Sequence, residues 1–295
     1  MKLNDYWQQL SYEPTTELNE AARQLHHASQ FVAIFGNSLL PKASDDSQSN
    51  MAWLPSLNGL AGQEVNLRQR VRMALCYDNF ELQLIDENEN PIGAFPLSGQ
   101  TKSTALSFVR TQAREMGLKD SQIQPISHFQ LPEHELDKGA PFRMVDPGHH
   151  QELARYRQNA HFALQEAAKA YDYATPVATW PHHFDTGSVI NLAFDDSSNA
   201  VKTIGIGLAM ADQVCKEFYF YVSPWQKKGT INWKDLRSLP GNAEWKNGPW
   251  NGAVLKLSEV VRLSNAAEQR KLVDSFLQVA IAASLYLIGA ETVRS

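Results

Sequence analysis

A chain of 295 residues with 27 Lys+Arg, 32 Asp+Glu and a net charge of -5 is long enough to bury a full core, and it has no basic excess to neutralise phosphates, so nucleic acid is not expected as a partner. At 43% apolar, 20% charged and 10% aromatic, the composition is globular and far from that of disordered, collagenous or coiled-coil chains. Cys76 and Cys215 allow at most one bridge, and residues 1–6 hold no apolar stretch of signal-peptide length, so the sequence predicts a cytoplasmic protein in a reducing compartment.

From Thr15 to Phe35 the apolar positions Leu18, Ala21, Ala22, Leu25, Ala28, Phe31, Val32 and Phe35 recur three or four apart, which predicts an amphipathic helix with Gly36-Asn37 as its stop. Ser44 to Asn50 is polar and reads as a loop. Arg70–Cys76, Phe80–Ile85 and Ile92–Leu97 read as strands, the last two joined by a turn at Asp86 to Pro91, and together they form a meander. A helix follows over Thr101–Met116, capped by Thr101 or Ser103 and stopped by Gly117. The prolines Pro125, Pro132, Pro141 and Pro147 exclude a long helix between Gln122 and Gly148 and predict chain running extended over another element.

A second long helix is predicted over His149–Tyr171, then strands at Val177–Trp180, Ser188–Phe194, Thr203–Met210 and Glu217–Val222. After an irregular stretch rich in Trp and Gly, Ala266–Ile288 reads as a helix buried nearly all round, too short in its apolar run to cross a bilayer. The order helix, meander, helix occurs twice in loose form. The expectation is an α+β fold, mainly antiparallel sheet with long packing helices, forming one domain over 1–295 with possible similar halves 1–148 and 149–295.

Several motifs fail. Gly205-Ile206-Gly207 lies within an alternating strand and lacks the third glycine of a dinucleotide fingerprint. Gly99 to Thr104 has a lysine followed by a serine but lacks the glycines of a phosphate loop, and helix capping accounts for it. His134-Glu135 has no second histidine at metalloprotease spacing, and His26-His27 and His149-His150 fall at helix surfaces or ends.

The densest polar constellation is Trp180-Pro181-His182-His183-Phe184-Asp185. If it is extended, Trp180, His182 and Phe184 share one face and His183 and Asp185 the other, a pair suited to hold a divalent metal or to work as an oriented imidazole. In Glu217 to Trp225, alternation sends Phe218, Phe220 and Val222 to a core and leaves Glu217, Tyr219, Tyr221 and Ser223 on the other face, a carboxylate and two phenols able to floor a ligand pocket. Gly205, Gly207 and Ala209 bare one strand face, which is expected to seat the C-terminal helix.

These segments, with Glu217-Phe218-Tyr219-Phe220-Tyr221-Val222-Ser223-Pro224 after the glycine-bearing strand, resemble bacterial proteins of domain-of-unknown-function family 5996. The likeness extends over nearly the whole chain, through Trp7, Phe80-Glu81-Leu82, Leu131-Pro132-Glu133 and Pro141-Phe142. Pro181-His182-His183 departs from the Trp-Gly-x-Phe-Asp of many members, whereas Trp180, Phe184 and Asp185 match. The resemblance implies the architecture and no established activity.

Three readings stay open. The first is a small-molecule pocket formed by residues 180–185 and 217–225, with Trp180, Tyr219, Tyr221 and Trp225 as ligand contacts. The second is a metal-dependent hydrolase with His183 and Asp185 as ligands and Glu217 and His182 in acid-base roles. The third is a non-catalytic partner-binding protein using the tryptophan stretch as its interface.

Overall fold

The structure is a computed structural model and describes residues 6–11, 15–234 and 236–290; most of the N-terminal stretch read for a signal, residues 1–5, lies outside them. The fold is α+β, with two antiparallel sheets and long helices. No helix among the described residues is long and apolar enough to cross a membrane.

The chain divides into two compact units, one of residues 16–154 and 178–184, the other of residues 1–15, 155–177 and 185–295. The division falls inside one continuous helix at 154/155, six residues beyond the expected boundary at 148/149, and each unit is assembled from separate stretches of chain.

In the first unit, helix α1 (Thr16–Leu39) runs through the expected stop at Gly36. Gly36 is buried in the helix because a Cβ there would lie 2.3 Å from the Gln48 carbonyl oxygen, so this glycine serves close approach of two backbones rather than a cap. Four polar residues, Gln24, His26, His27 and Ser29, are buried along with the apolar stripe, which places the two histidines inside the unit and not on the helix surface. The meander is present as β4 (Arg70–Cys76), β5 (Glu81–Asp86) and β6 (Pro91–Pro96). It is preceded by three strands too short to leave a periodic signal, β1 (Ala52–Leu54), β2 (Gly59–Ala61) and β3 (Val65–Asn66). Helix α2 (Lys102–Glu115) starts at the N-cap Thr101, whose hydroxyl accepts from Thr104 N at 3.2 Å while Thr104 Oγ1 accepts from Thr101 N at 3.0 Å. Helix α3 (Pro147–Ala168) begins with Pro147, where a missing N–H costs nothing. Strand β7 (Ala178–Thr179) returns to this unit through the pair Met51 N to Thr179 O, 2.9 Å, and Thr179 N to Met51 O, 2.7 Å.

The second unit is built on β8 (Thr186–Phe194), β9 (Ala200–Ala209), β10 (Tyr219–Gln226), β11 (Glu244–Asn247) and β12 (Asn251–Lys256), hydrogen-bonded in the order β11-β12-β10-β9-β8. The hairpin β11–β12 lies in the stretch that reads as irregular from sequence. One sheet face presents Ile204, Ile206, Leu208, Phe220, Val222, Ala253 and Leu255, all buried, and the long helix α5 (Ala266–Leu287) packs against β9, β10 and β12. The short α4 (Leu257–Val261) joins β12 to it.

The opposite face carries a feature that the sequence reading assigned to a helix. Gly187, Gly207 and Tyr221 are paired in register across three strands. The Tyr221 ring lies along the bare track: a Cβ on Gly207 would come within 2.5 Å of it, and one on Gly187 within 2.9 Å of its hydroxyl. A side chain of the same sheet, and not α5, therefore covers the glycines. We expect Gly207→Ala to destabilise the protein by about 1–3 kcal/mol through overpacking, and in a Tyr221→Ala background to cost under about 0.5 kcal/mol. Urea denaturation of the four proteins checks this; additive losses would mean that the ring and the glycine do not compete for the same space.

Candidate functional site

A cavity of about 610 Å³ lies in the first unit, where α1, α2 and the 125–137 segment, irregular up to the short 3-10 helix Glu135–Lys138, come together. The helical repeat aligns Gln30, Phe31 and Ile34 on α1 with Lys102, Ser103 and Leu106 on α2. Pro125, Ile126, Phe129 and Leu131 supply the third wall, and Glu133 and Asp137 close its polar end. The prolines that forbid a helix here are what leave the segment free to line a cavity.

At that end Lys102 Nζ lies 2.7 Å from Asp137 Oδ1 and 3.2 Å from His27 Nδ1. An ammonium only donates, so His27 Nδ1 is the acceptor and its proton sits on Nε2. Burial, then the neighbouring Lys102 charge, push the His27 imidazole down from 6.5 to about 4, which keeps it neutral near pH 7. Burial raises the Asp137 carboxyl, but the Lys102 hydrogen bond and charge outweigh it and the net shift is downward.

A second layer holds these groups. The His134 ring is 4.9 Å from that of His27. Its Nδ1 accepts from Leu136 N at 3.3 Å, so Nε2 carries the proton and donates to Glu20 Oε1 at 3.1 Å, an oxygen that also accepts from Gln24 Nε2 at 2.9 Å. Asp137 Oδ2 accepts from His134 N at 3.2 Å. These bonds hold the ionisable groups in fixed places beside an apolar wall.

The sequence constellations take other positions. Trp180 to Asp185 is not extended: Phe184 N donates to Trp180 O at 2.7 Å, and Phe184 is in the left-handed region at φ 56°. The turn at 181–183 breaks the alternation expected of the segment. His183 is exposed, and no group of three or more His, Cys, Asp or Glu among the described residues could hold a metal ion, so the ligand pair His183 and Asp185 finds no completing partner. His182 packs edge-on to Phe129 at 5.9 Å and to Trp180 at 6.1 Å, which sets this segment behind a cavity wall. The Pro181 carbonyl accepts from His26 Nε2 and from Gln30 Nε2, each at 2.8 Å.

In the second unit, Tyr221 donates to Asp185 Oδ2 at 2.7 Å, and Tyr219 donates to Asp212 Oδ2 at 2.8 Å. Burial, then the adjacent carboxylate, hold both phenols well above their ordinary range. The two rings are 6.3 Å apart, and Trp250 stands perpendicular to Tyr221 at 6.3 Å, beside a cavity of about 450 Å³ that Trp250, Val214 and Lys246 help to line. Tyr219 and Tyr221 thus belong together as expected, but Tyr219 is buried against Ala209, Cys215 and Val254. Glu217, expected as a base, instead accepts from Ser258 N and Ser258 Oγ, both at 3.0 Å, and ties down the start of α4. Trp225, on the same face as Tyr221, is 49% exposed.

The sequence pattern alone sets aside Lys102 and His27 as capping or helix-surface residues and His134 for want of a second histidine, and gives no sign of Asp137. The Gly99 to Thr104 stretch was the available signal: it cannot form a phosphate loop, yet it delivers a lysine to the first turn of a helix beside an apolar segment. No family model matches the chain, and neither the curated proteins nor the solved structures contain a match.

The His27 shift fixes a pH dependence. In the unfolded chain the imidazole takes up its proton near 6.5, in the folded one only near 4, so the unfolded state binds more protons between these values and stability falls as pH drops from 6.5 to 4. Urea denaturation at pH 7.0, 5.5 and 4.5 is expected to show a shallower loss for His27→Gln than for the native chain. Parallel losses in the two proteins would place the responsible proton elsewhere, His150 and His161 being also depressed to about 4 by burial.

Proposed function

We propose that this chain binds a small molecule in the cavity bounded by α1, α2 and residues 125–137. The observation that carries the reading is the coincidence of a cavity of about 610 Å³ with a convergent, partnered set of ionisable groups, Lys102, Asp137 and His27. A volume of about 610 Å³ is within the range of pockets that enclose metabolite-sized ligands. Cys76 and Cys215 are both free, which supports a cytoplasmic setting. The likeness to domain-of-unknown-function family 5996 brings no activity to this reading.

A neutral apolar dye tests the cavity without reference to charge. Nile red is expected to bind the full chain saturably, and Leu106→Trp, which puts an indole into the cavity from a partly exposed position of α2, to weaken it at least about tenfold. Tyr221→Phe, in the other unit, is expected to bind as the native chain does. Absence of saturable binding, or equal binding by Leu106→Trp, would overturn the proposal.

A further inference from the structure

We infer that the ligand of this cavity is an amphipathic monocarboxylic acid, its carboxylate paired with Lys102 and its apolar body laid along Phe31, Ile34, Leu106, Ile126 and Phe129; the inference rests on the small-molecule reading above. The apolar part follows from the walls, which give a hydrocarbon chain or an aromatic ring a surface to leave water for.

The sign of the head group follows from counting donors and acceptors. The Lys102 ammonium has three N–H groups, of which one goes to Asp137 and one to His27 Nδ1, leaving one to give. The carboxylates behind it are engaged: Asp137 uses Oδ1 for Lys102 and Oδ2 for His134 N, and Glu20 accepts from His134 and Gln24. His27 is neutral near pH 7 and adds no charge. A cationic head would meet the Lys102 ammonium as a like charge, whereas a carboxylate meets its remaining N–H as a donor. Glu133, the remaining lining carboxylate, is exposed, so water screens its charge. Among the described residues one lysine and no arginine line the cavity, which fits a single negative charge better than a phosphate dianion. Lys102 and Ser103 also open α2, where the helix dipole adds to the same preference without creating it.

Calorimetric titration of the full chain at pH 7.5 with octanoate, octanol and octylamine tests the head group at constant chain length. Octanoate is expected to bind at least about tenfold more tightly than either of the others. Lys102→Met is expected to reduce octanoate to the level of octanol while still binding Nile red, which shows the cavity intact, and Lys102→Arg to keep the preference for octanoate. Octylamine or octanol binding as well as octanoate, an octanoate preference that persists in Lys102→Met, or Nile red binding with none of the octyl compounds would overturn the inference and leave the cavity reading standing. Failure of Nile red as well would remove both.

Discussion

The first unit is tied together at the ion pair of Lys102 with Asp137, 2.7 Å apart, which joins α2 to the 125–137 segment beside apolar side chains. With 30% and 42% of the two side chains exposed, the pair is part-solvated and contributes little by itself. The lone pair of a neutral imidazole, His27 Nδ1 at 3.2 Å, gives Lys102 a second partner. Each partner needs its own support: His134 and Glu20 behind Asp137, and burial within α1 for His27. Of the polar residues that interrupt the apolar stripe of α1, His27 meets this cation while His26 holds the Pro181 carbonyl, and the bonds Lys102–Asp137 and His134–Glu20 hold the 125–137 chain against the two helices.

The second unit solves a different problem. A sheet with one face buried under α5 leaves the other face to be closed by whatever the strands themselves carry. Tyr221 does this by spanning two glycine positions, and its phenol finds a carboxylate at Asp185, so the aromatic body covers backbone while its polar tip is satisfied. Glu217, one pleat earlier and pointing the same way as Tyr219, accepts from Ser258 and so fixes the start of α4.

The long elements were legible in the sequence because their periodicity is long. Helices α1, α2 and α5 and the 70–97 meander follow from apolar spacing, capping residues and turn chemistry, and the buried face of β10 follows from alternation. Two- and three-residue strands such as β1 to β3 are set by pairing partners and leave no local trace. The 180–185 segment was misread because alternation assumes extended backbone, and a proline followed three residues later by a left-handed phenylalanine makes a turn instead. The cavity groups were invisible for a further reason: His27, Lys102 and Asp137 are separated by 75 and 35 residues along the chain, and only the packing of three elements brings them together.

The track of Gly187, Gly207 and Tyr221 has a consequence for how this sequence can change. A methyl group gained at residue 207 is tolerable only after the tyrosine has been lost, and loss of the tyrosine uncovers backbone that a larger residue at 187 or 207 would then shield. The three positions therefore vary as a set, through an intermediate less fit than either end. Among descendants of this chain they should stay frozen together or be replaced together, with the fate of Asp185 bound to theirs.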